Sequence, residues 1–204
     1  FIFLRVLGAG IMFWAIQFFI KEKVAKKDIL LLLACGFFGV AVNQLLFFHG
    51  LNLSSPIDAS IIITAVPVLV LILSAFILKE VITTNKIIGI VLGAIGAVLL
   101  VWYGKSGVGT SSVLGNILVL INATSYAIYL VIVKPLMKKY NPITVITYVF
   151  SFGFLFVFPV GLNDFLNTNF ESFTLNTYLV VTFVIIGTTF LTYLFNIYAL
   201  TKVA

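Results

Sequence analysis

Along this chain, seven stretches of almost unbroken apolar residues alternate with short polar breaks. They cover residues 1–20, 29–51, 57–78, 87–104, 113–133, 142–162 and 177–201. Most reach the roughly 20 residues that a helix needs to cross a bilayer core. The pattern predicts an all-α, polytopic membrane bundle with seven spans. Local signals agree with the boundaries. Ser55-Pro56 opens the third stretch with a capping residue and a first-turn proline, and Asp58 takes the third position of a capping box. Asn141-Pro142 repeats the device at the sixth. Pro67, in the middle of the third stretch, removes a backbone hydrogen bond and crowds the carbonyl of Ile63, so a kink is predicted. Thr64 or a neighbouring helix can satisfy the freed group, and the kink serves either packing or a hinge beside a cavity. Gly89, Gly93 and Gly96 predict close helix packing on the fourth stretch. The loop 163–176 is expected at the outer interface, with Phe165, Phe170 and Phe173 resting on headgroups.

The lysines sort by loop. Lys21, Lys23, Lys26 and Lys27 fall in the first break, Lys79 and Lys86 in the third, and Lys134, Lys138 and Lys139 in the fifth. If the chain weaves in and out, Lys202 joins them, giving ten basic residues on one side against two, Arg5 and Lys105, on the other. Such asymmetry orients polytopic proteins with the basic loops cytoplasmic. The location predicted is a cell membrane crossed many times, a bacterial inner membrane above all.

Composition sharpens this picture. Hydrophobic residues make up 62% of the chain and charged ones 9%, more apolar surface than a soluble domain of this length can hide. The net charge of +6 follows from lysine-rich loops and acid-poor spans and does not signal nucleic acid. The bilayer and a small-molecule substrate are the expected partners, nucleic acid is not, and a homodimer is left open. Cys35 has no second cysteine to pair with, and one histidine cannot build a His-rich metal site. No metal and no cofactor are expected. Phosphate loops, Ser/His/Asp arrangements and HExxH are all missing, so an enzyme is the least supported class. Phe1 falls inside a helix-like stretch and Ala204 at the end of another, which predicts an internal piece of a longer protein.

Polar side chains away from helix ends mark a cavity, because an amide facing lipid leaves donors and acceptors unpaired. The candidates for substrate binding are Asn43 and Gln44 on the second stretch and Thr64 on the third. Asn122, Ser125, Tyr126 and Tyr129 on the fifth, beside Thr124, and Tyr193 and Asn196 on the seventh, beside Thr192, complete the set. Asn122, Ser125, Tyr126 and Tyr129 share one helix face at spacings of three and four. Singly, each can be an interhelical hydrogen bond; together, they suit a pocket for a small zwitterionic or uncharged heterocyclic solute. Three further residues are gating candidates. Asp58 is a helix cap or an intramembrane proton or ion site. His49, the only side chain of the type that titrates near neutral pH, is an interface residue or a proton-linked gate. Pro67 is the hinge candidate. Arg5 snorkels to outer headgroups or touches substrate.

Leu45–Leu51 and Leu194–Leu200 resemble each other weakly and would cross in opposite directions, the mark of an inverted repeat. Gly50-Leu51 through Ser54-Ser55 and Ala59, then Pro67, Leu78-Lys79-Glu80, Thr83 and Gly89 to Gly96, resemble the drug/metabolite transporter superfamily in its EamA-type, ten-helix branch. They are similar to its small-residue loop, proline-bearing fourth helix, following Glu and glycine-rich fifth helix. The resemblance implies two inverted five-helix halves around a central cavity. Residues 1–104 would be the first half-repeat (helices two to five) and 113–204 the second (helices six to eight). It also implies alternating access and export of small metabolites or drugs, amino-acid-like or heterocyclic. A lipid or lipid-linked carrier and a non-transporting scaffold are the competing readings.

Overall fold

A computed structural model describes residues 1–79, 84–103 and 112–203. Glu80, Thr83, Lys105 and the loop 105–111 lie outside the described residues. Those described form α1 (Ile2–Ile20), α2 (Ile29–Gly36), α3 (Asn43–Leu53), α4 (Pro56–Ile63), α5 (Val66–Ile77), α6 (Thr84–Tyr103), α7 (Val113–Met137), α8 (Pro142–Leu166), α9 (Leu175–Phe183) and α10 (Thr192–Val203). A π-helical segment, Phe37–Val42, joins α2 to α3, and another, Val184–Leu191, joins α9 to α10. Six helical runs are long and apolar enough to cross a membrane: Ile2–Ile20, Lys26–Leu53, Pro56–Ile77, Val113–Met137, Pro142–Leu166 and Leu175–Ala199. With α6, 20 residues long, they match the seven spans that hydropathy predicts. The chain is a multi-pass helical membrane protein.

The caps form as the sequence dictates. Ser55 Oγ accepts from Asp58 N at 3.0 Å, and Asn141 Oδ1 accepts from Ile143 N at 2.9 Å, with a proline in the first turn of each helix. Pro67 does more than kink its helix. The helix breaks into α4 and α5 at Thr64–Ala65, and Pro67 occupies the first turn of α5 instead of mid-helix. A proline has no N–H to give the carbonyl of Ile63, so the chain tightens: Thr64 N bonds Ile61 O at 3.1 Å and Ala65 N bonds Ile62 O at 3.0 Å. These i→i+3 bonds are what a helix end adopts when its ladder runs out.

The chain packs as two compact units, residues 1–41 with 133–204 and residues 42–132. The first is built around α1, α2 and α8. Phe13 stacks on Phe150 at 5.0 Å and on Phe190 at 4.8 Å. At Gly36 and Gly153 the backbones come so close that a Cβ would stand 2.7 Å from Gly153 N and 2.5 Å from Val40 Cβ, respectively. A polar seam runs along α1 and α8, where Trp14 Nε1 donates to Ser151 Oγ at 2.8 Å and Thr144 Oγ1 to Gln17 Oε1 at 3.0 Å. At one end the first and fifth breaks meet. Lys139 pairs with Asp28, Tyr140 Oη donates to the same carboxylate, and Asn141 N donates to Glu22 at 2.9 Å. The bond to Asp28, then that to Tyr140, holds the Lys139 ammonium above the ordinary lysine range. At the other end the aromatics of residues 163–176 pack on one another. Phe165 lies 4.8 Å from Phe3 and 5.4 Å from Phe170, which lies 5.5 Å from Phe173.

The second unit holds α3 to α6 and α7 as far as Ile132. Its buried centre is Ala59, Ile62 and Val119, with Leu51 and Leu120 packed on it. Glycines let its backbones touch: a Cβ on Gly115 would stand 2.5 Å from Leu53 O, and one on Gly50 2.8 Å from Val119. Of the three glycines on α6, Gly93 abuts Val68, whereas Cβ atoms on Gly89 and Gly96 would meet nothing described within 4 Å.

Gly153→Val should therefore overpack the α2–α8 contact, costing about 1–3 kcal/mol. The expected readout is a lower melting temperature and yield of purified full-length protein. Gly10→Ala, where a Cβ meets open space, should leave both unchanged; equal behaviour of the two variants would contradict the packing.

Candidate functional site

The polar residues of the second unit meet at two levels. Asn43, in the first turn of α3, donates from Nδ2 to Asn122 Oδ1 on α7 at 2.7 Å. Next to it, Gln44 is 3% exposed, and neither its Oε1 nor its Nε2 has a hydrogen-bond partner among the described residues. Along α7, Ser125 and Tyr129 are buried with Asn122, and the Tyr126 and Tyr129 rings lie 5.7 Å apart. The spacing of three and four thus puts amide, hydroxyl and phenol groups on one inward face. A buried primary amide offers two donors and an acceptor with two lone pairs. Left empty, it costs about 1–3 kcal/mol; a solute carrying both a donor and an acceptor can fill it.

Near the α3–α4 turn lies a second polar level. Ser54 Oγ donates to Asn116 Oδ1 at 2.5 Å, and Ser112 N and Oγ both donate to Leu53 O at 2.8 Å. Asp58 is buried here. Its backbone N–H completes the cap, yet its Oδ2 has no partner among the described residues. His49 is exposed on α3.

Thr64 is exposed and its Oγ1 donates back to Ile61 O at 2.6 Å; it borders a cleft of about 170 Å³ with Ala65, Val68, Gly93 and Gly96. Pro67 is exposed at the start of α5. Thr124 donates to Leu120 O, within its own helix. In the first unit, Tyr193 Oη donates to Gly39 O at 2.9 Å, while its ring meets Phe150 edge-on at 4.9 Å. Asn196 is exposed. Arg5 is tied inward, its Nε donating to Thr189 Oγ1 at 3.0 Å.

Comparison with known proteins gives the arrangement its context. The model of the EamA-like transporter family matches residues 1–102 and 113–204. The chain belongs to the EamA-like transporter family. It is 33% identical over 156 residues to an "uncharacterized transporter" of Archaeoglobus fulgidus, covering 76% of this chain and 54% of that protein. To the "uncharacterized transporter YetK" of Bacillus subtilis it is 30% identical over 164 residues, covering 78% of this chain and 50% of the relative. A second Bacillus subtilis protein, "uncharacterized transporter YyaM", is 28% identical over 145 residues, with 70% and 48% covered. This EamA-family chain thus spans about half the length of the curated relatives it matches. No solved structure gives a significant match.

Sequence reasoning missed two features of this family member. Arg5–Thr189 joins an arginine to a threonine across 184 positions, with nothing in the sequence to pair them. Tyr193–Gly39 depends on a carbonyl inside a π segment, where the ordinary helix ladder is interrupted. A tyrosine and a glycine on separate spans were the only signal.

Opposite stability effects are expected from two substitutions side by side. Asn122→Leu should cost about 1–2 kcal/mol by breaking the Asn43 bond. Gln44→Leu should be neutral or stabilising by up to about 1 kcal/mol, since it removes an amide that has no partner. Thermal melts of the full-length protein check both; a large loss for Gln44→Leu would mean that its amide is satisfied.

Proposed function

We propose that the full-length protein is a secondary transporter of a cell membrane, a bacterial inner membrane above all, that exports small uncharged or zwitterionic solutes by alternating access. The observation that carries this reading is the buried amide of Gln44, without a partner among the described residues, next in sequence to the Asn43 that bonds Asn122. A structural amide in lipid finds partners, because hydrocarbon supplies none. One kept empty at a buried depth suits a ligand with matched donor and acceptor, such as an amide, an amino acid or a heterocycle edge.

Two observations support an inverted repeat of residues 1–104 and 113–204. The family model matches both segments. Aligning Leu45–Leu51 on Leu194–Leu200 also carries the π segment Phe37–Val42 onto residues 186–191, inside the π segment Val184–Leu191. The meeting of residues 22–28 with 139–141 supports one side for those two lysine loops, which charge asymmetry makes cytoplasmic. Pro67 fits a hinge in this reading, since the α4–α5 break concentrates bending at two residues.

An untargeted metabolite comparison between cells overproducing the full-length protein and cells lacking it identifies the solute. Gln44→Leu should then lower the flux of that solute at least tenfold, about 1.4 kcal/mol of recognition, at unchanged protein level. Pro67→Ala should lower the maximal rate more than the apparent affinity. Normal flux in Gln44→Leu would sink the assigned site, and flux of lipid probes alone would favour a lipid carrier.

A further inference from the structure

Asp58 is the one carboxylate that the second unit buries among its described residues, and it is buried alone. Only 5% of the residue is exposed, Oδ2 has no hydrogen-bond partner among the described residues, and Pro56–Ile77 is a membrane-crossing run. Its helix N-terminus accounts for the backbone bond to Ser55 but leaves the carboxylate oxygen unanswered. Nor, among the described residues, do the elements packed around it bring a compensating positive charge. On α3 the titratable group is His49, which is exposed. Residues 66–77 of α5 carry no charged residue. On α7, as far as Ile132, the titratable groups are Tyr126 and Tyr129, ten or more positions beyond Asn116 and thus roughly 15 Å further along the helix. α6 has Lys86 in its first turn, at the opposite end, and Tyr103 as its last residue. A buried, unpaired carboxylate is strongly unfavourable unless something positive joins it.

Side-chain oxygens lie near that end of α4. Ser55 Oγ lies 3.0 Å from Asp58 N, and the neighbouring Ser54 Oγ sits 2.5 Å from Asn116 Oδ1. We propose that Asp58 Oδ2 anchors a site for a monovalent metal cation, sodium, bordered by the oxygens of Ser54, Ser55 and Asn116. One carboxylate suits a single charge; calcium and magnesium sites gather several carboxylates or substrate phosphates, and no group of three or more His, Cys, Asp or Glu occurs among the described residues. In a transporter such a site supplies the driving ion. The inference deepens the transport reading, yet cation binding is measured without any transported solute, so the two fail separately.

The test uses full-length protein purified in detergent, with sodium chloride exchanged for choline chloride at constant ionic strength. Saturating sodium should raise the melting temperature by about 5 °C, and Asp58→Asn should abolish the rise. Should Asp58→Asn fail to fold, radioactive-sodium binding by wild type decides, with Asn116→Leu as the second variant: weaker sodium binding is expected. The proposal is overturned if wild type binds no sodium, or if the folded Asp58→Asn protein retains the full response.

Discussion

Hydrocarbon cannot hydrogen-bond, and each polar group on these helices must answer to that constraint. Several serines and threonines answer locally. Thr64, Thr124, Thr147, Ser151 and Thr188 each donate to a carbonyl of their own helix. Longer side chains answer across helices, as Trp14 does with Ser151, Gln17 with Thr144, Asn43 with Asn122 and Tyr193 with Gly39. Against that background the buried side-chain atoms left without partners among the described residues belong to Gln44 and Asp58. Both sit in the second unit, one in the first turn of α3 beside Asn43 and one at the start of α4.

The backbone shows a related logic. Close helix contacts need small residues, because in lipid packing replaces hydrophobic burial as the source of helix association. Gly36 and Gly153 serve this in the first unit, and Gly50 and Gly115 in the second. Elsewhere the helices are deliberately irregular. Two π segments and the break at Thr64–Ala65 interrupt spans that hydropathy draws as uniform. Such interruptions free carbonyls, and Gly39 O shows the use of one: it anchors Tyr193.

How much of this was legible beforehand depends on the range of the interaction. The spans follow from length and hydropathy, both local properties, and the Ser55 and Asn141 caps follow from three or four adjacent residues. Pro67 announced a disturbance but not a full break, because whether the chain kinks or re-forms a helix end is settled by packing. The π segments have no sequence signal, since phenylalanine, valine and glycine suit an ordinary helix equally well. At the site, the amides on the second and fifth spans named Asn43, Gln44 and Asn122 as a group. That Asn43 and Asn122 bond to each other while Gln44 stays empty depends on helix rotation, which one sequence does not carry. Thr64 and Asn196 were named for polarity alone and lie exposed.

The most direct measurement places a cysteine at Gln44 in a Cys35→Ser background of the full-length protein. It then follows modification by a small hydrophilic thiol reagent with and without the transported solute. Reaction that the solute slows severalfold is the expected result, because a wetted, solute-accessible pocket must admit the reagent. A cysteine at that position that stays unreactive in every condition, in a folded protein, would contradict a binding role for the Gln44 amide.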